Sequence, residues 1–320
     1  MNLHTDNVFI ETVSSILSNA GLISHDETLM LIPSHFITIG GNPSSHYKII
    51  CGNKKFFLKS VKDNDNTVFC LPYLHTLNCK YGVGRFPELL SQTFSYKDRD
   101  FYILEYLEGE TFEELDGIFS EEEWRIVAMK LKERIHELYS CTSDKYSDRA
   151  KFYSESFGEL LSNKLTNRLK NPLFAQFSTN KLATATATFN RILSNVTFPK
   201  AHLIHMDVKP ANIIYNRNEK KVSLIDFENA RFCDYDFGRT QLLLTAYKGY
   251  SETYTKYVLP YLTDGFTIES AVKDDKCLSY LYYQTLCNLI FYESRHLPCP
   301  TAMSDLFNKL LNILAKGYYK

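Results

Sequence analysis

The amino-acid sequence predicts an α+β fold in two lobes, a small antiparallel β-sheet lobe followed by a larger, mainly helical lobe. Three observations predict it. Short β-rich segments separated by turn residues crowd the stretch after Pro33. Beyond Gly109, apolar residues recur at helical spacing over most of the chain. The 320 residues are also enough to build two cores.

The first element is a helix over Asn7–Leu22, where Val8, Phe9, Val13, Ile16 and Leu17 repeat at helical intervals. Three antiparallel strands follow, at His35–Ile39, Tyr47–Cys51 and Lys55–Lys59. Gly40-Gly41-Asn42-Pro43 turns between the first two and Gly52-Asn53 between the next two. A helix at Thr67–Leu77 has to take Pro72 into its first turns. Leu89–Phe94 and Phe101–Leu107 read as further strands around the polar turn Ser95–Asp100. Gly109 then marks the boundary between a lobe spanning 1–109 and one spanning 110–320. Ser120-Glu121-Glu122-Glu123 starts a helix, with a serine cap and acids in the first turn, that runs to about Tyr139. More helices are expected near Ser154–Leu169, Lys181–Asn195, Thr240–Tyr257, Asp274–Tyr292 and Thr301–Ala315. Two short strands, Asn212–Tyr215 and Lys221–Ile225, interrupt them around the turn Asn216–Glu219. There is no internal repeat and no low-complexity tract.

Composition narrows the partners. Hydrophobic residues make up 44% and charged residues 23%, an ordinary globular usage. A formal net charge of −1 creates no global field for nucleic acid or an anionic membrane, so neither is expected as a partner. An anionic cofactor needs only a few local cations. Asp6 and Glu11 interrupt the apolar pattern of the first residues, unlike a signal peptide. No run reaches the roughly 18 apolar residues of a membrane span. Eight cysteines without a C-x-x-C pair predict reduced thiols in a cytoplasmic protein. The oligomeric state stays open.

The chemistry is concentrated in His205-x-Asp207-x₄-Asn212, followed by Ile225-Asp226-Phe227. Phosphoryl transfer from ATP needs a metal clamp on the phosphates, an acid that orients the attacking hydroxyl, and cations that absorb developing charge. Mg²⁺ prefers oxygen ligands. Asn212 and Asp226, at neighbouring ends of a hairpin, suit that ion, and Asp207, five residues earlier on the loop, suits the acceptor hydroxyl.

These motifs resemble the aminoglycoside phosphotransferase and choline kinase branch of the kinase-like superfamily, which has an H-x-D-x-x-x-x-N loop and a following I-D-F-E segment, here Ile225-Asp226-Phe227-Glu228. The resemblance covers residues 35–295 and implies a bilobal protein-kinase-like fold that uses ATP and Mg²⁺. It implies Asp207 as catalytic base, Asn212 and Asp226 as Mg²⁺ ligands, and His205 as a brace of the loop. Asp236, in Asp234-Tyr235-Asp236-Phe237-Gly238, is implied as a second brace. In the small lobe it implies that the loop Ile39–His46, with Gly41, Ser44 and Ser45, covers the phosphates and that Lys59 grips them. The Glu105 carbonyl and Leu107 N–H would receive adenine, and GTP is not distinguished from ATP. The branch also expects a glutamate on the next helix to hold the lysine. None occurs between Ser60 and Pro87, where only Asp63 or Asp65 stands near the helix start.

The absence of an A-P-E-like motif after Asp226 favours a small-molecule hydroxyl acceptor. The acids Glu228, Asp234, Asp236, Asp264, Glu269, Asp274 and Asp275 favour a cationic one, such as an aminoglycoside-like antibiotic or another amino alcohol, with antibiotic resistance as the setting. Lys209 stands where protein serine/threonine kinases place a lysine on the γ-phosphate, which keeps a protein acceptor open. The absent helix glutamate keeps a nucleotide-binding pseudokinase scaffold open as well.

Overall fold

The computed structural model describes residues 3–33, 46–61, 66–148, 151–153, 156–197 and 200–316. Helix α1 (Asn7–Asn19) is capped by Asp6, whose carboxylate accepts from the Phe9 N–H, and it buries Phe9, Val13 and Leu17. Strands β1 (Leu29–Pro33), β2 (Tyr47–Cys51) and β3 (Lys54–Ser60) follow, then helix α2 (Thr67–Tyr81) and strands β4 (Phe94–Tyr96) and β5 (Arg99–Glu105). They form one antiparallel sheet in the order β1-β2-β3-β5-β4. One apolar cluster joins α1 to this sheet through Phe9, Val13, Leu17, Leu31, Ile49, Leu58 and Ile103.

Two strand expectations are corrected. The strand that pairs with β2 is Leu29–Pro33, in register Leu31↔Ile49, while 35–39 and the turn at 40–43 lie outside the described residues. Leu29 and Leu31 are buried and Met30 and Ile32 exposed, but a run of four apolar residues hides that alternation in the sequence. Of the strand expected at Leu89–Phe94, Leu89 makes one bridge to Leu104 and only Phe94 belongs to a strand, as the first residue of β4. The hairpin is β4–β5, closed by Lys97-Asp98 with Lys97 at φ 55°. Ser95 to Asp100 looked like a turn because this edge ladder is polar and exposed.

After β5 the chain passes Gly109 and enters β6 (Glu110–Thr111). Gly109 has φ +138°, and a Cβ there would lie 2.5 Å from the Tyr215 carbonyl oxygen, so only glycine fits this crossing. Helix α3 (Glu121–Tyr139) begins with a reciprocal capping box between Ser120 and Glu123. Short strands β7 (Thr142–Ser143), β8 (Tyr146–Asp148) and β9 (Lys151–Tyr153) lead to helices α4 (Phe157–Arg168) and α5 (Thr179–Ser194). Then come β10 (Ala201–Ile204), β11 (Ile213–Asn216), β12 (Lys221–Leu224) and β13 (Arg231–Cys233). The chain finishes with α6 (Tyr235–Thr245), α7 (Leu259–Thr263), α8 (Ile268–Ala271), α9 (Asp275–Ser294) and α10 (Thr301–Ala315). The strands form two small sheets, β13-β10-β7 and β12-β11-β6, plus the β8–β9 hairpin. The larger apolar cluster centres on α9, whose residues from Cys277 to Leu286 are all buried.

The helix expected over Thr240–Tyr257 is broken. Helix α6 stops at Thr245, Gly249 adopts φ +76°, and the chain resumes as a π-helical turn at Tyr254–Val258 that runs into α7. Among the described residues no helix is long and apolar enough to cross a membrane.

Candidate active site

Strand β10 delivers the chain into the loop His205–Asn212, and β11 carries it away. The hairpin β11–β12 pairs Ile213 with Leu224, and the Ile225 N–H donates to the Asn212 carbonyl at 3.0 Å. That pairing sets Asn212 and Asp226 at adjacent strand ends. Met206 and Asp226 hold φ of 66° and 63°, the left-handed region that non-glycine residues avoid. Such strain persists where the surrounding bonds over-determine it, as at functional sites.

Those bonds are visible. The His205 ring is buried, with Nδ1 accepting from the Asp207 N–H (3.3 Å) and Nε2 donating to the Ile225 carbonyl (2.8 Å). One neutral tautomer satisfies both bonds, and burial pushes the imidazole pKa down, which keeps the ring uncharged. His205 therefore ties the two halves of the site together. The Tyr254 hydroxyl donates to the Val208 carbonyl at 3.3 Å and anchors the loop from the far side.

Asn212 donates through Nδ2 to the Asp207 carbonyl (2.9 Å) and carboxylate (3.2 Å), so its acceptor oxygen is the opposite end of the amide. Lys209 Nζ lies 2.8 Å from Asp207 Oδ2. Burial works against the lysine's charge, but the Asp207 carboxylate outweighs it and the Lys209 pKa rises.

Lys59 comes from the buried end of β3. Its ammonium contacts Asp226 Oδ1 at 2.8 Å, Thr67 Oγ1 at 3.4 Å and Glu228 Oε2 at 3.9 Å. Burial raises the Asp226 pKa, but the Lys59 charge and hydrogen bond overcome it, with Lys209 and His205 adding. The carboxyl is held well below its usual range. Among the described residues no group of three or more His, Cys, Asp or Glu is arranged to hold a metal by itself. An Asn–Asp pair suits an ion that takes most of its oxygens from phosphates and water, as Mg²⁺ does.

Lys59, His205, Asp207, Lys209, Asn212 and Asp226 are thus brought into one place. Glu105 ends β5, with its carboxylate pushed up by burial and by Glu88, and Leu107 follows just before the Gly109 crossing. Gly41, Ser44, Ser45, Asp63 and Asp65 lie outside the described residues. Asp236 is corrected. It faces Lys276 (2.7 Å) and Arg239 (3.1 Å) in the first turn of α6, and the bracing of the loop falls to His205 and Tyr254. Sequence reasoning missed Tyr254 and the approach of Glu228 to Lys59, because both depend on through-space placement.

Of the acids expected to attract a cation, Glu228 lies at the site beside Lys59, and the later ones are placed elsewhere. Asp234 caps α6 and approaches Lys276 at 3.3 Å, Asp264 pairs with Lys132, and Asp274 caps α9. Glu269 and Asp275 occupy the first turns of α8 and α9. The Asp207 charge acts on His205, Lys209, Lys248, Tyr250 and Tyr254.

A family model for choline/ethanolamine kinases matches residues 99–257, from β5 through the π-helical turn. No curated protein sequence matches the chain significantly. Among solved structures, aminoglycoside phosphotransferase APH(4)-Ia aligns at 12% identity with a TM-score of 0.62, covering 96% of this chain and 98% of that one. The GDP and kanamycin complex of APH(2")-IIIa aligns at 15% identity and a TM-score of 0.56, covering 96% and 99%. A protein assigned as a fructosamine-3-kinase from Haemophilus somnus 129PT aligns at 14% and 0.60, covering 94% and 96%. The structural likenesses show a shared fold. The family match spans the loop His205–Asn212 and the turn after Asp226, so over these residues the chain is similar to choline/ethanolamine kinases, and over nearly its whole length it shares the fold of aminoglycoside phosphotransferases.

Proposed function

We propose that this chain is a small-molecule kinase that uses ATP and Mg²⁺ and transfers the γ-phosphate to a hydroxyl of its acceptor. The observation that carries the proposal is the convergence of Lys59 and Asp226, at 2.8 Å, beside the Asp207–Asn212 loop. Lys59 grips the α- and β-phosphates under the loop of Gly41, Ser44 and Ser45, and adenine meets the Glu105 carbonyl and Leu107 N–H. Asn212 and Asp226 hold Mg²⁺, which when bound neutralises and orients the phosphates. Asp207 takes the proton of the acceptor hydroxyl as its oxygen bonds to phosphorus and the bridging bond to ADP breaks. Lys209 offsets charge that builds on the transferring group. The nucleotide-binding part is residues 1–109, a division supported by β5 and β6 lying in different sheets on either side of Gly109.

ADP and AMP-PNP complexes of APH(4)-Ia relatives support ATP as the donor. Hygromycin B bound to APH(4)-Ia and kanamycin bound to APH(2")-IIIa support an amino-alcohol acceptor, and with it a role in antibiotic resistance. The later acids no longer add to that reading, since Asp234, Asp236 and Asp264 pair with lysines and Glu269, Asp274 and Asp275 lie at helix starts. Eight free cysteines support a cytoplasmic setting. A protein acceptor rests on Lys209 alone.

An ATP-consumption screen tests the proposal across aminoglycosides, amino alcohols, sugars and a generic protein. Turnover on at least one small hydroxyl compound is expected, and it should stop when Mg²⁺ is chelated. Tight ATP binding with no turnover on any acceptor would replace the enzyme with a binding module.

A further inference from the structure

Away from the loop His205–Asn212, one cluster of side chains joins a nucleophile to a base and an acid. His75 and Cys79 are four residues apart and share an exposed face of helix α2. Cys79 Sγ lies 3.6 Å from His75 Nε2, and His75 Nδ1 lies 3.0 Å from Glu88 Oε2. We propose that Cys79 is a thiol-modification site, with His75 as its base, that takes up low-molecular-weight disulfides as mixed disulfides.

The hydrogen-bond roles follow from the acid. A carboxylate only accepts, so His75 Nδ1 donates to Glu88, and Nε2 turns its lone pair towards the Cys79 S–H. Glu88 is fixed on two sides. Its other oxygen accepts from Asn78 Nδ2 at 3.0 Å, and its carbonyl accepts from the Glu105 N–H at 2.8 Å. Asn78, the residue before Cys79, is buried. It donates to the Phe86 carbonyl at 2.9 Å and accepts from the Phe86 N–H at 3.2 Å. The imidazole is thus oriented by an acid that cannot swing away, and ring and thiol stand on one helix.

The remaining thiols are poorer nucleophiles. Cys51, Cys70, Cys233 and Cys277 are buried, and Cys141, Cys287 and Cys299 are partly covered, whereas Cys79 is exposed. Burial pushes the thiols of Cys51, Cys141, Cys233, Cys277 and Cys287 up, away from the reactive thiolate, and Cys51 also faces the Glu27 carboxylate at 3.4 Å. Cys79 lies in the last turn of α2, where the helix end disfavours a standing negative charge. A base in contact with the thiol answers that difficulty. Nε2 takes the proton while Sγ attacks one sulfur of the incoming disulfide. The new S–S bond forms, the old one breaks, and the leaving thiolate recovers the proton from the imidazolium. One mixed disulfide and one small thiol result, with no further oxidant.

The test exposes the full chain at neutral pH to glutathione disulfide and follows adducts by intact mass and peptide mapping. The first adduct is expected on Cys79 and should be removed by dithiothreitol, and Cys79→Ser should abolish that fast phase. His75→Gln should slow it roughly fivefold with the melting temperature unchanged, since both side chains are exposed. An isolated surface thiol would not respond to that substitution. Should the glutamine variant not fold, His75→Asn carries the same comparison. No adduct, a first adduct on another cysteine, or a Cys79 rate indifferent to His75 overturns the proposal. None of these outcomes bears on the phosphotransferase reading, which ATP turnover tests separately.

Discussion

Asp207 stands between two donors, the Lys209 ammonium at 2.8 Å and the Asn212 amide at 3.2 Å. Replacing it with asparagine keeps the shape and removes the proposed base. Asp207→Asn should lower turnover by about 10²- to 10⁴-fold while ATP affinity, read by calorimetry, stays within a few fold. Wild-type turnover in that variant would sink the assignment. His205 makes a pH prediction. Burial depresses its folded pKa below the unfolded value, so the unfolded chain takes up a proton that the native chain resists. Stability is fully present above the ordinary histidine range of about 6.5 and falls as pH drops below it. Melting temperatures from pH 7.5 to 5.5 should show this fall, and His205→Gln, which cannot titrate, should flatten it. The types and spacing of these loop residues were readable because the chemistry fixes both. The partners of Lys59 and Asp236 were not, because a side chain's direction depends on neighbours far away in the chain. Lys59 met Asp226, 167 positions on, and Asp236 turned to Lys276 on another helix.

At the level of elements, the loop is held as firmly by what crosses it as by its own strands. Tyr254 lies in a π-helical turn and its hydroxyl is buried against the Val208 carbonyl. Tyr254→Phe should cost about 1 kcal/mol of stability and reduce turnover without changing ATP affinity, a split that denaturant melts and steady-state kinetics can resolve. Gly109→Ala should cost more than about 2 kcal/mol, since the new Cβ would lie 2.5 Å from backbone at a positive φ. A melt unchanged by that substitution would refute the account of the crossing. Strongly periodic helices such as α3, with its Ser120–Glu123 box, could be read from sequence directly. The break before Tyr254 could not, because Gly249 lies within a helical pattern and only packing decides that it ends one. Strands β10 and β13, which flank the loop His205–Asn212 and the turn after Asp226, were also missed. At four and three residues they are too short to display a period.

For the molecule as a whole, the division into a sheet-rich part and a helical part was visible because turn residues and helical periodicity occupy different halves of the chain. How the halves meet was not, since that depends on Lys59 and Asn66 reaching the Asp226–Ala230 turn. The proposed Mg²⁺–ATP site spans this meeting point. Saturating nucleotide should stabilise the fold by about 2.7 kcal/mol at a hundredfold excess over Kd, a rise in Tm of roughly 5 °C for a chain of this size. Thermal melts with and without nucleotide check it, and no shift would count against the proposed site. The long span of the Lys59–Asp226 pair also orders events during synthesis and refolding. A contact closing so large a loop forms only after most of the intervening chain has found its place. Nucleotide capture is therefore a late reporter of folding: in a refolding time course it should lag the recovery of helical signal, and a nascent chain halted before residue 228 should hold no ATP.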